Sequence, residues 1–265
     1  MMRLFVEGIG VLGPGLNGWH ADRTVLAERK PYVSAPTVLA PSEMLPPPER
    51  RRTGVPVKLA LAVGREAFAN AERDASATAT VFASSGGDAD NVHQICEALA
   101  SPQREVSPTR FHNSVHNAAA GYWSIASRSQ EPSTSLACFD ASFAAGMLET
   151  AVQITVEGRP VALIAYDQPY PEPLGAARHI GANFGVAMVL VPQRTPRAFA
   201  AVEVQLVAAE ATPSSMADPG LEALRAGTPA ARSLPLLGAL ARGDTGFVVV
   251  EYVGGNHLRL AVAPC

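Results

Sequence analysis

The sequence predicts an α/β fold, a mixed or largely parallel sheet with helices packed on it. Three observations predict it. Runs with apolar residues at helical spacing alternate with short β-rich runs, in the order strand, helix, strand, helix, helix, strand, helix, strand, strand. Val161 to Tyr166 (VALIAY) is apolar almost throughout, as strands are when a sheet is covered on both faces. Finally, 48% of the 265 residues are hydrophobic and only 17% are charged, a composition that fills a large core and argues against disorder.

Taken in order, Leu4 to Ile9 is expected as a first strand, ended by Gly10, Gly13 and Pro14. Residues 14–56 are rich in proline and arginine and read as a surface excursion with room for a short helix. Within it, Arg50-Arg51-Arg52 fits a solvated loop better than a phosphate clamp. Val57 to Ala71 predicts a buried helix, and Thr78 to Ala83 a strand that runs into Ser84-Ser85-Gly86-Gly87-Asp88. That stretch has neither GxGxxG nor a GK[ST] ending, so it predicts a tight strand-to-helix turn and not a phosphate cradle.

A helix follows over 89–100, then a loop from Ser101 to Pro108. Asn113 to Ser127 predicts a single helix, in which Ala118, Ala119, Ala120 and Gly121 permit close backbone approach beside the bulk of Tyr122 and Trp123. Thr134 to Cys138 is expected as a short buried strand. Asp140 is the expected N-cap of a helix that places Phe143, Met147, Leu148 and Ala151 on one face, stopped by Gly158-Arg159-Pro160. After the VALIAY strand and a proline-rich loop from Asp167 to Leu174, Asn183 to Val191 and Phe199 to Leu206 predict two more strands. Leu221 to Ala226 and Leu234 to Leu240 predict short helices. Phe247 to Val253 and Leu258 to Val262 predict a hairpin around Gly254-Gly255-Asn256.

A formal net charge of -3 gives no basic field for nucleic acid. The N-terminal MMRLFVEGIGVLGPG reads as a strand and turn rather than a secretory leader, and no segment has the apolar length of a membrane span. Cys96, Cys138 and Cys265 lie outside any CxxC or Cys/His ligand spacing, so no disulfide frame, metal site or cofactor is expected. The expectation is a cytoplasmic protein with reduced thiols.

Cys138 carries the sharpest question. A thiol at a strand end beside a helix N-terminus sits where backbone N–H groups and the helix dipole favour negative charge, as a nucleophile needs. The plainer reading is a small buried apolar residue at a strand-helix junction, since free cysteine is among the most buried residue types. His112 and His116 fall i,i+4 on the expected helix, but with no HExxH glutamate they read as surface or interface residues rather than metal ligands. Tyr122 and Trp123 read as core or subunit-contact residues.

Three of these stretches, in this order and spacing, resemble the N-terminal half of the β-ketoacyl synthases, enzymes of the thiolase fold. Asn117-Ala118-Ala119-Ala120-Gly121-Tyr122-Trp123-Ser124 is similar to the family's N-x-A-A-G-x-x-S helix. Ser135-Leu136-Ala137-Cys138, with Gly146 eight residues after the cysteine, is similar to its nucleophile segment. Gly181 to Val191 resembles its glycine-bearing strand. The resemblance covers residues 1–207, a ketosynthase-like N-terminal-half domain of mixed sheet with helices on both faces, and leaves 208–265 as a short C-terminal extension packing on the same domain.

It also implies a function. A condensing enzyme of the family needs two histidines from a C-terminal half, in motifs like H-G-T-G-T and G-H-x-x-G, which this sequence lacks. His179 and His257, which follow Cys138, have other surroundings, and Phe139 and Asp140 replace the usual small residues after the cysteine. A carboxylate two positions along opposes a thiolate. The pattern resembles the short chain length factors of type II polyketide, fatty acid and aryl polyene systems, which pair with an active β-ketoacyl synthase and meet acyl carrier protein through it. A non-catalytic heterodimer subunit is therefore expected, self-pairing when alone, with Asn117, Gly121, Tyr122, Trp123, Phe139 and Phe143 at the interface or acyl tunnel. The alternative is an acyltransferase or minimal synthase with Cys138 as acyl acceptor.

Overall fold

A computed structural model of the chain describes residues 1–208 and 210–265. Its strands are β1 (Met2–Leu12), β2 (Ala79–Ala83), β3 (Ser133–Leu136), β4 (Val161–Asp167), β5 (Phe184–Val191), β6 (Ala200–Ala208), β7 (Gly246–Glu251) and β8 (Asn256–Pro264). They form one mixed sheet in the order β3-β2-β4-β5-β1-β6-β8-β7. Only β3, β2 and β4 run parallel; every other neighbouring pair is antiparallel.

The helices are α1 (Trp19–Leu26), the single turn α2 (Pro47–Arg50), α3 (Val55–Ala71), α4 (Ala89–Ala100), α5 (Pro108–Asn113), α6 (Ala118–Ser127), α7 (Ser142–Glu157), the single turn α8 (Leu174–Ala177), α9 (Pro219–Gly227) and α10 (Leu234–Arg242). Short 3-10 turns at Phe139–Ala141 and Pro229–Ser233 precede α7 and α10. Among the described residues no helix is long and apolar enough to cross a membrane, and no three potential metal ligands cluster.

The VALIAY strand explains the layering. Its side chains alternate across the sheet, so Ala162, Ile164 and Tyr166 join the core under α3 and α6, while Val161, Leu163 and Ala165 join the core under α7. Both faces are covered, so the strand is apolar at every position. Each large side chain buried there contributes about 1.5–3 kcal/mol. Gly146 lets α7 settle onto the sheet: a Cβ at that position would lie 2.8 Å from Ala83 Cβ and 2.7 Å from Leu163 Cδ1. On the other face Trp123 of α6 packs at a tilt against Phe68 of α3, with ring centroids 5.4 Å apart.

Beyond β1 the sheet continues as β6, β8 and β7, with Val202, Val204, Leu258, Leu260, Val248 and Val250 turned toward the core beneath α9 and α10. The two ends of the sheet differ. Ser214 lies along the outer edge of β7, accepting from Val249 N–H at its Oγ (2.9 Å) and donating its own N–H to Val249 O (2.8 Å). Among the described residues the outer edge of β3 has no strand beside it.

The structure corrects three expectations about elements near Cys138. The strand expected at 134–138 ends at Leu136 and is half-exposed rather than buried, because it is the outermost strand. The helix expected at 113–127 begins only at Ala118, as α6; a separate helix, α5, ends at Asn113, and 114–117 lie between them. The break follows from side chains that bond away from the helix: buried Asn113 donates to Arg52 O (2.7 Å) and accepts from Tyr122 Oη (3.1 Å), and His116 Nε2 lies 3.0 Å from Ser84 O. Asp140 caps nothing, since it sits in the 3-10 turn before α7 and makes no bond to that helix's first turn.

Candidate functional site

The three parallel strands release their carboxyl ends on one rim of the sheet, where open α/β sheets place ligands. Ser84–Asp88 follows β2, Ala137–Ala141 follows β3, and Asp167 ends β4 with 168–170 after it. Asp167 fastens this rim. Its Oδ1 accepts Ser85 N–H at 2.8 Å and lies 3.4 Å from Ser84 Oγ, while its Oδ2 accepts Ala230 N–H at 2.8 Å. Burial pushes its carboxyl up to about 6, against the pull of those donors. Ser85 N–H is bound to a carboxylate and Gly87 N–H to Ser84 Oγ, so the Ser84–Gly87 stretch is the tight turn expected.

Cys138 lies half-buried just past β3, followed by Phe139 at φ 51. That left-handed conformation in a bulky residue makes a sharp elbow, of the kind that presents a side chain at a strand-helix junction. The Cys138 backbone N–H donates to Ser142 Oγ at 3.0 Å, and Ser142 Oγ donates to Phe139 O at 2.7 Å. Three of the histidines are held in other contacts, while His179 lines a cavity with Phe139 and Asp140 beside the elbow. His116 faces Ser84 O, His93 pairs with Glu97 on α4, and His112 meets Tyr122 edge-on. His112 and His116 do not share a helix, which disposes of the i,i+4 metal geometry. Cys96 and Cys265 are exposed and free.

Asp140 faces two cations instead of a helix end. Its Oδ1 accepts from Arg178 Nη2 at 2.8 Å, and its Oδ2 lies 3.4 Å from Arg232 Nη2. Arg178 also stacks on Phe139, its guanidinium carbon 3.4 Å from the ring centroid. Neither arginine was singled out by the sequence. Arg178 follows α8 and Arg232 lies in the 3-10 turn at Pro229–Ser233, both distant from Asp140 in the chain, and no local pattern marks them.

The other predicted residues divide. Tyr122, Trp123 and Phe143 are buried within the chain's own core. Asn117, Gly121 and Phe139 are exposed. Asn117 and Gly121 line a shallow apolar groove of about 480 Å3 on α5 and α6, walled by Phe111, Val115 and Ile125. Those three apolar side chains are 67, 49 and 50% exposed. A Cβ on Gly121 would meet nothing within 4 Å, so packing inside this chain does not require glycine there. Glycine inside a helix costs about 1 kcal/mol relative to alanine, which makes its presence in the groove informative.

No curated protein matches the sequence closely. Solved structures match the whole fold. The complex of a ketosynthase with its chain length factor from Xenorhabdus doucetiae contains a chain 22% identical, with a TM-score of 0.74, the match covering 98% of this chain and 100% of that one. The ishigamide ketosynthase/chain length factor matches at 17% identity and a TM-score of 0.71, covering 99% of each chain. A β-ketoacyl synthase from Burkholderia phymatum matches at 12% and 0.71, covering 100% of each. These likenesses show a shared thiolase-like fold. The sequence pattern described as "Beta-ketoacyl synthase, N-terminal domain" matches residues 19–246, and the chain belongs to that family.

Proposed function

We propose that this chain is a non-catalytic partner subunit, of the chain length factor type, for an active β-ketoacyl synthase in type II polyketide or fatty acid assembly of the aryl polyene kind. The observation that carries the reading is the state of Cys138. Acyl transfer at a cysteine needs N–H donors aimed at the developing oxyanion, and condensation needs histidines to help the extender unit lose its carboxylate. Cys138 N–H is bound by Ser142, while His93, His112 and His116 contact Glu97, Tyr122 and Ser84, and His179 lines the adjoining cavity with Arg178 and Arg232. The exposed groove on α5 and α6 and the uncovered edge of β3 supply the surface that a partner would cover. Acyl carrier protein would then be met through the ketosynthase, in the cytoplasm, and the lone chain would pair with itself.

Co-expression tests this. The chain should co-purify with its ketosynthase as a heterodimer, and Cys138→Ala should leave product formation by the pair largely intact. Elongation of a malonyl-derived substrate by the isolated chain would overturn the reading. The elbow at Phe139 favours one alternative, a chain that accepts acyl groups on Cys138. A stoichiometric acyl adduct on Cys138 after exposure to an acyl carrier protein thioester would establish that role.

A further inference from the structure

Between the Cys138 elbow, the loop after β4 and the junction of α9 with the 3-10 turn at Pro229–Ser233 lies a cavity of about 270 Å3. Arg178 and Arg232 line it, with His179 beside them. Their side chains are only 17 and 18% exposed, yet their donors are poorly met. Arg178 bonds Asp140 through Nη2, while its Nε is buried with no partner among the described residues. Arg232 reaches Asp140 Oδ2 at 3.4 Å and Glu251 Oε2 at 3.8 Å, both long for charged hydrogen bonds. The hydroxyl of Thr228, in the same junction and 1% exposed, also lacks a partner.

The lining therefore brings two guanidiniums against one carboxylate, that of Asp140. Glu251 stands outside the lining beside Arg225, which is itself bound at both ends to Glu222 (2.8 and 2.7 Å). Planar N–H forks whose ion-pair contacts are one-sided or long, lining a partly dehydrated pocket, are suited to oxygen anions. Cation-π stacking on Phe139 and the Asp140 contact hold the Arg178 guanidinium in place, which lowers the ordering cost of binding. Asp140 occupies one side of the same arginines, so it acts as an internal competitor.

We propose that this cavity binds a small oxyanion, a carboxylate or a phosphoryl group, between Arg178 and Arg232. Binding here does not depend on the partner-subunit reading, because it is measured on the chain itself and survives if no ketosynthase pairs with it. The experiment is a titration of the full chain by calorimetry and by amide chemical shifts, with inorganic phosphate in one arm and malonate in the other, against sodium chloride at matched ionic strength. Saturable binding in the low millimolar range is expected for at least one anion, and the tighter arm identifies the group. Arg232→Met should weaken it at least tenfold. Asp140→Asn and Glu251→Gln should each tighten it, Asp140→Asn by roughly five- to tenfold, the effect of one partly screened unit charge at contact. A purely structural role for the Asp140 bridge predicts no tightening. Absence of saturable binding in both arms, or binding indifferent to Arg232→Met and Asp140→Asn alike, would overturn the proposal.

Discussion

The amide of Cys138 is bonded to the side chain of Ser142, four residues on, at 3.0 Å. The bond folds the chain back on itself at the elbow and takes up the donor nearest to where an acyl oxyanion would form. Ser142 also donates to Phe139 O, so one hydroxyl satisfies two groups at the start of α7. Ser142→Ala should cost about 1 kcal/mol in urea unfolding, as other helix-start hydroxyls do. It should also release Cys138 N–H, giving an amide hydrogen that exchanges faster than in the parent. Unchanged exchange would mean the bond is not formed in solution.

Gly121 gives a pair of opposite outcomes. Since a Cβ there meets nothing, Gly121→Ala should stabilise the isolated chain by up to about 1 kcal/mol. Gly121→Leu or Ile125→Asp should leave its melting temperature close to that of the parent yet prevent co-purification with a ketosynthase. Loss of folding in these variants, or retention of the partner in both, would remove the groove from the interface.

Gly146 is constrained by its own chain. Gly146→Ala sets a methyl against Ala83 Cβ and Leu163 Cδ1 and should destabilise by about 1–3 kcal/mol, the usual cost of overpacking. Denaturant midpoints check this, and the contrast with Gly121→Ala is the informative comparison.

Asp167 sets a pH dependence. Burial raises its carboxyl from 3.8 to about 6, so the folded chain holds a proton there that the unfolded chain releases between about pH 4 and 6. The group's contribution to stability is thus fully present below about pH 4 and is lost as pH rises through 6, a swing of roughly 3 kcal/mol. Asp167→Asn removes the titration. The parent's stability minus the variant's, measured in urea from pH 4 to 7, should fall with rising pH and level off above 6. A flat difference would contradict the buried, raised carboxyl.

Much of the fold was legible because periodicity survives in single stretches. VALIAY is apolar at every position since each face of β4 has its own helix layer, and the small-residue run 118–121 is a helix as expected. The break between α5 and α6 was not legible. It depends on Asn113 and His116 bonding to Arg52 and Ser84, residues remote in sequence, where helical spacing alone favours continuity. The burial of β3 was misjudged for a related reason: Ser133 to Leu136 has no pattern that separates an edge strand from an inner one. Asp140 looked like a cap because it stands just before an apolar helix, and its real partners, Arg178 and Arg232, arrive from later in the chain. The carboxylate directly after VALIAY was the one overlooked signal, since an ionisable group at the end of a fully buried strand must find donors.

The unequal ends of the sheet limit how far the molecule can grow. With Ser214 laid along Val249 of β7, the β3 side is the freer of the two margins among the described residues. A subunit with one adhesive margin forms a closed couple and then stops, whereas two such margins would permit open-ended stacking into fibres.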